Sequence, residues 1–238
     1  MPAFFIQKGT DMRNLHTITS NQKIHLRKCY IQGAQNYNHF LMGKIFLIIC
    51  EDGTETTIRF FKKDYIHLTG IETNLGDNIF FENCKNSTLN NNNILTHQKY
   101  NWSTLRGKGT RIQNIHRIIY SNVKESLFIF NLHTNTAHFP VAIRNCTINT
   151  CIGFKDELHK ARTLRKFTNS GSSDCEKKIV AIFAKKESQS MYDELVYISS
   201  IHKIYEMNNT FLDKLSNLLR NRLECIIETE KNTTPHNV

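Results

Sequence analysis

Arg59-Phe60-Phe61-Lys62-Lys63-Asp64-Tyr65-Ile66-His67-Leu68-Thr69-Gly70-Ile71 joins the end of an alternating strand pattern to a compact His-Leu-Thr-Gly turn, and it sets an imidazole among cations. Upstream, Lys44 to Cys50 and Thr56 to Phe61 are rich in β-branched and aromatic residues. Glu51-Asp52-Gly53-Thr54 between them supplies hairpin turn chemistry. The pattern predicts a β-hairpin whose rigid edge delivers His67.

Working outward, Thr19 or Ser20 is placed to cap a helix running to about Leu41, with Ile24, Ile31, Ala34 and Leu41 on its buried face. Gly76-Asp77 introduces a helix over residues 78–89, which Asn90-Asn91-Asn92-Asn93 breaks. Residues 94–120 read as two helices parted around Gly107-Lys108-Gly109, the second carrying Ile112, Ile115, Ile118 and Ile119 on its apolar face. Beyond them, 127–132, 141–145, 147–154 and 179–184 have strand composition, and 166–174 reads as a loop. Residues 191–201 fit either a strand or a helix. An amphipathic helix over 209–227 closes the pattern, with Phe211, Leu215, Leu218, Leu219 and Leu223 in a stripe suited to core packing or, less often, to a partner. These elements give an α+β class: an antiparallel β-sheet core with an N-terminal helix, inserted helices and a C-terminal amphipathic helix. Residues 1–16 are expected to form a flexible arm, 17–227 one domain and 228–238 a disordered polar tail.

The 238 residues hold 31 Lys and Arg against 21 Asp and Glu, a formal charge of +10. That balance favours a polyanionic partner, nucleic acid above all, over a merely basic surface. Seven cysteines, an odd number with no Cys-x-x-Cys pair, disfavour both a disulfide framework and a four-cysteine zinc site. Cys146 and Cys151 beside His133 and His138 match no standard zinc spacing, so neither metal nor cofactor is expected. No signal peptide or membrane-length apolar run is visible, and the expected setting is the cytoplasm, with no membrane partner. The chain lacks a Walker A loop, a dinucleotide turn, a nucleophile elbow and a His-Glu-x-x-His helix. Arg106-Gly107-Lys108-Gly109-Thr110-Arg111 reads as a basic loop suited to a nucleic-acid backbone, with Tyr100 and Trp102 near it for stacking.

Gly33-Ala34-Gln35-Asn36-Tyr37, the hairpin with Glu51-Asp52-Gly53, His67-Leu68-Thr69-Gly70 and a later run from Ile152-Gly153-Phe154 through Ala161-Arg162-Thr163-Leu164-Arg165 and Ala181-Ile182-Phe183-Ala184-Lys185-Lys186 to Leu195-Val196-Tyr197 resemble, in that order, the PBECR4 domain. PBECR4 is one of the phage-associated Barnase–EndoU–ColicinE5/D–RelE-like nuclease families. The resemblance spans most of residues 30–200. It implies an α+β fold around an antiparallel sheet and metal-independent RNA cleavage, as a toxin or in conflict between host and mobile elements, with an antitoxin or inhibitor as a further partner. Cleavage without metal uses the 2′-hydroxyl of RNA as nucleophile, so the protein positions the chain, moves two protons and neutralises developing charge. A histidine suits proton transfer near neutral pH, and Lys and Arg suit the charge. His67 is the candidate proton carrier, Thr69 and Thr163 the candidates to orient phosphate, and Lys62, Arg162 and Lys185 the candidates to stabilise charge. Arg59, Lys63, Arg106, Lys108, Arg111, Arg165 and Lys166 are candidates to bind the RNA backbone. The family pattern carries Pro before the Ser or Thr of its second segment, whereas this chain has Arg162-Thr163. A non-catalytic nucleic-acid-binding module on the same scaffold, and a protein-interaction domain, are the alternative readings. The RNA class, the second proton carrier and the oligomeric state stay open.

Overall fold

The computed structural model describes residues 15–121, 123–155, 160–169, 171–199 and 210–233. Of the expected arm, residues 1–14 lie outside that set, as do residues 234–238 of the expected tail. The two-residue strand β1 (His16–Thr17) leads into α1 (Ser20–Asn36). Thr19 caps α1 reciprocally: its hydroxyl accepts from the Gln22 amide at 3.3 Å while the Gln22 side chain accepts from the Thr19 amide at 2.9 Å. A π-helical turn, Tyr37–Leu41, continues it to the expected end.

The hairpin forms as expected, from β2 (Lys44–Cys50) and β3 (Glu55–Arg59). Next come α2 (Tyr65–Thr69), α3 (Asp77–Lys85), the short strand β4 (His97–Gln98) paired with β1, α4 (Trp102–Gln113) and α5 (Arg117–Tyr120). The second half supplies β5 (Ser126–His133), β6 (His138–Asn145), β7 (Thr150–Lys155), β8 (Lys160–Arg165), β9 (Cys175–Lys186), β10 (Glu194–Ile198) and α6 (Asn217–Thr233). The segment left open between strand and helix is therefore the edge strand β10, and α6 runs past Glu228, where the polar tail was expected to start.

The sheet closes on itself. Its order is β10-β9-β2-β3-β8-β7-β6-β5, and β5 returns to pair with β9, so a barrel replaces the open sheet that strand composition alone suggests. The twelve-residue β9 makes closure possible: residues 179–186 pair with β2, and residues 175–178 pair with β5. Every other neighbouring pair in this sheet is antiparallel, but β3 and β8 meet in parallel through one position, Arg59 opposite Lys160. At this thin seam the chain leaves β3 and folds α2 against β8.

β2 explains its own unbroken apolar run. Phe46, Ile48 and Cys50 enter the main core, while Ile45, Leu47 and Ile49 face a second core built with β9 and α6, so both faces are buried. In that second core Phe211, Leu215, Leu219 and Leu223 seat the C-terminal elements. Leu218 departs from the expected stripe and stands 81 % exposed.

On α1 the buried face is Leu26, Cys29, Tyr30, Gly33 and Ala34, and Ile24 is exposed. The face turns this way because α1 packs on α4 through glycines. A Cβ at Gly33 would come within 3.0 Å of the Ile112 carbonyl oxygen, and one at Gly109 within 3.2 Å of Cys29. The same contact corrects the reading of 106–111: these residues lie inside α4 and form no loop, because close packing on α1 outweighs the low helix propensity of Gly107 and Gly109. Cys29, Cys50, Cys84 and Cys151 are buried thiols, whereas Cys146, Cys175 and Cys225 are exposed.

Candidate functional site

His67 reaches the surface from a turn of helix that is otherwise buried. After Phe61 the chain makes a 3-10 turn, Lys62–Asp64, and then α2, so His67 sits on a short helix rather than on the expected strand edge. Tyr65, Ile66, Leu68 and Thr69 point into the core, and the Tyr65 hydroxyl donates to the Tyr30 carbonyl at 2.7 Å. This leaves His67 as the one exposed residue of α2, with Nε2 3.9 Å from Oδ2 of Asp77 at the start of α3. Gly70 ends the helix in the left-handed region at φ 69°. Thr69 serves the same turn: its buried hydroxyl donates to the Ile66 carbonyl at 2.7 Å and accepts from the Ile71 amide at 3.3 Å.

Strand β8 brings the second cluster to the same place by breaking its own alternation. Thr163 pairs with Gly153 but Ala161 pairs with Phe154, so Arg162 is an extra residue opposite β7, a β-bulge. Along a regular strand, successive side chains face opposite ways. The bulge re-aims Arg162, and it joins Thr163 and Arg165 on one cleft while Ala161 and Leu164 stay buried. Arg165 Nε donates to the Thr163 hydroxyl at 3.3 Å, and its Nη2 donates to Thr136 Oγ1 at 2.6 Å, which ties β8 to the β5–β6 turn.

Two adjoining hollows, of about 490 and 710 Å³, share Tyr100, Lys108, Thr136, Thr163 and Arg165 and so form one cleft. His67, Arg162 and Lys155 line the smaller end. Arg106, Arg111, Lys166 and Asn149 line the larger. Among the described residues no Asp or Glu lines either part. Lys108 is buried at the junction. Its Nζ donates to the Leu164 carbonyl at 2.8 Å and lies 5.2 Å from the centre of the Tyr100 ring, and burial, then Arg111 and Arg165, push its pKa down to about 8.

Of the residues expected from sequence, His67, Arg162, Thr163, Arg106, Lys108, Arg111, Arg165 and Lys166 meet in this cleft. Thr69, Lys62, Lys185, Arg59 and Lys63 are not among its lining residues. Lys62 pairs with Glu82 on α3. Lys185 donates to the Ser190 carbonyl at 2.7 Å and packs over Tyr192 in the β9–β10 hairpin. Arg59 lies at the barrel seam, its charge acting on Tyr192, and Lys63 is exposed beside Asp64. Trp102 meets His25 edge-on against α1, so of the two aromatics expected for stacking only Tyr100 faces the cleft. Asp64, quoted in the opening stretch but not among the candidate site residues, is wholly buried, 3.5 Å from Arg162 Nη1. Its signal was a lone acid in a run of cations, which reads equally well as a solvated charge. Lys155 was missed as well, its strand end bearing no motif. Among the described residues no group of three His, Cys, Asp or Glu side chains is arranged to hold a metal, and the four residues weighed for that role form no such site.

A family model described as phage-Barnase-EndoU-ColicinE5/D-RelE like nuclease 4 (PBECR4) matches residues 31–214. The chain belongs to the PBECR4 family. The PBECR4 match runs from α1 to the turn before α6 and so contains every residue that lines the cleft. Comparison with curated proteins and with solved structures returns no match. Among the described residues, no helix is long and apolar enough to cross a membrane.

Proposed function

We propose that this PBECR4 chain is an endoribonuclease whose cleft binds single-stranded RNA and cleaves it by attack of the 2′-hydroxyl on the adjacent phosphate. The observation that carries the reading is the joining of an exposed histidine, a bulge-directed arginine and a row of cations in a cleft without acidic lining among the described residues. Arg162 presents a planar fork suited to two phosphate oxygens, and the charge that builds on phosphorus in the transition state strengthens that contact. Thr163, its hydroxyl already fixed by Arg165, directs a donor to a phosphate oxygen. His67 moves one of the two protons. Arg106, Arg111 and Lys166 carry the adjoining backbone phosphates, and among the described residues no opposing carboxylate competes for them there. Thr69, Lys62 and Lys185 support the scaffold in this account and touch no substrate.

Purified protein incubated with total cellular RNA in EDTA, followed by end-group analysis, tests the proposal. Products ending in 2′,3′-cyclic phosphate and 5′-hydroxyl are expected. Intact RNA that is nevertheless bound in a salt-sensitive manner would replace the reading with a non-catalytic binding module.

A further inference from the structure

The proposed reaction moves two protons, and His67 accounts for one. Lys108 lines the same cleft as His67 and has the chemistry to supply the other. It is 7 % exposed, on the inner face of α4, and it lines both the end of the cleft that holds His67 and Arg162 and the end that holds Arg106 and Arg111. A phosphate-binding lysine ordinarily extends from the surface on a solvated stem. Lys108 instead has its stem pressed on Gly70, where a Cβ would come within 2.6 Å of Lys108 Cδ, so the amine is held in one position at the end of the helix that presents His67.

Two of its contacts favour the protonated amine. The Leu164 carbonyl accepts one of its three N–H bonds at 2.8 Å, and the Tyr100 ring face stabilises a cation. Among the described residues no other group accepts from this amine, which leaves two N–H bonds for substrate. Burial and the charges of Arg111 on α4 and Arg165 on β8 work the other way, so the ammonium gives up its proton more readily than a solvated lysine. Among the described residues, His67 on α2 and Arg162 on β8 are the remaining ionisable groups around it at that end, together with Lys155 of β7.

We infer that Lys108 is the general acid of this site, protonating the 5′-oxygen that leaves, with His67 as the base that takes the proton from the 2′-hydroxyl. The inference rests on the nuclease reading given above. In the step, the 2′-oxygen forms its bond to phosphorus as His67 takes its proton. The bond from phosphorus to the 5′-oxygen breaks, and one ammonium proton of Lys108 passes to that oxygen. The products are a 2′,3′-cyclic phosphate and a 5′-hydroxyl. The enzyme is left with an imidazolium and a neutral amine, and exchange with water restores both.

A leaving group that needs no proton separates an acid from a residue that merely holds the fold. Two oligonucleotides are compared, identical except that the bond cut by the wild type carries either the natural 5′-oxygen or a bridging 5′-sulfur. Lys108→Met is expected to slow the oxygen substrate about 10²- to 10⁴-fold and the sulfur substrate less than about 10-fold, while His67→Ala slows both. With the oxygen substrate, kcat/KM of the wild type is expected to fall as pH rises through about 8, where Lys108 loses its proton. Lys108→Arg keeps length and charge in case the Met variant folds poorly; because a guanidinium does not release its proton, it is expected to show the same split between substrates and no alkaline fall near pH 8. Equal slowing of both substrates by the Lys108 variants, or wild-type rates in either, would overturn the assignment while leaving the nuclease reading intact. A wild-type protein that cuts neither substrate would overturn both.

Discussion

Oδ1 of Asp64 lies 3.5 Å from Nη1 of Arg162, and among the described residues neither oxygen of this wholly buried carboxylate receives a hydrogen bond. Burial pushes the Asp64 pKa up, and the charges of Arg162, His67, Lys63 and Lys160 offset only part of that. Because the folded pKa exceeds the unfolded one, the ionised carboxylate costs stability above the folded pKa. The cost fades as pH falls from that value toward the ordinary 3.8.

Asp64→Asn is therefore expected to melt at the same temperature as wild type or a few degrees higher at pH 7. It should also lack the wild type's relative gain in stability on acidification. RNA cleavage should fall about 10-fold as Arg162 loses its anchor, on the scale of a lost charge-assisted contact. Thermal melts between pH 4 and 7 beside initial rates check both halves; a large loss of stability at pH 7 would mean that the pair holds the barrel seam together.

Gly70→Ala should destabilise by about 2 kcal/mol, a fall of about 4–8 °C in melting temperature, because an alanine at φ 69° is strained and its Cβ meets Lys108. Gly53 also has a positive φ, 81°, but nothing lies within 4 Å of its would-be Cβ. Gly53→Ala is thus the control: it should show the conformational penalty alone and leave cleavage unaffected.

Arg106→Ala and Lys166→Ala, made in a His67→Ala background so that RNA survives, should each weaken binding of single-stranded RNA several-fold. Each should also reduce the slope of log K against log salt by about 0.7. Fluorescence anisotropy titrations across a salt series read both quantities. An unchanged slope would place the backbone elsewhere on the surface.

Lys62 and Lys185 are engaged outside the cleft, Lys62 with Glu82, and Lys185 with the Ser190 carbonyl and the Tyr192 ring. Lys62→Ala and Lys185→Ala are expected to keep cleavage within about 3-fold of wild type and to lose no more than about 1 kcal/mol of stability, the worth of such exposed contacts. A hundredfold loss of rate in either, with the melt unchanged, would restore it to the catalytic set.

The β2–β3 hairpin is legible because β-branched and aromatic composition and the Asp52-Gly53 turn agree, and α1 is legible because Thr19 and Gln22 form a reciprocal cap. Helix α4 is hidden by two glycines, since its stability comes from the close approach of α1, a tertiary fact with no local signature. Strand β8 is hidden in the same way: Lys160-Ala161-Arg162-Thr163-Leu164-Arg165 has the composition of a solvated segment and becomes a strand by pairing with β7. The bulge that turns Arg162 into the cleft depends on that pairing, which is why motifs find the residue and pattern does not find its direction. Barrel closure rests on the length of β9, which serves two partners in succession.

The central claim is that His67 acts chemically from this cleft, and single-turnover cleavage by wild type and His67→Ala, with EDTA present and melts run in parallel, tests it most directly. His67 is the exposed residue of a buried turn, so the variant should melt within about 2 °C of wild type while its rate falls about 10²- to 10⁴-fold. Equal rates from two equally stable proteins would contradict the account.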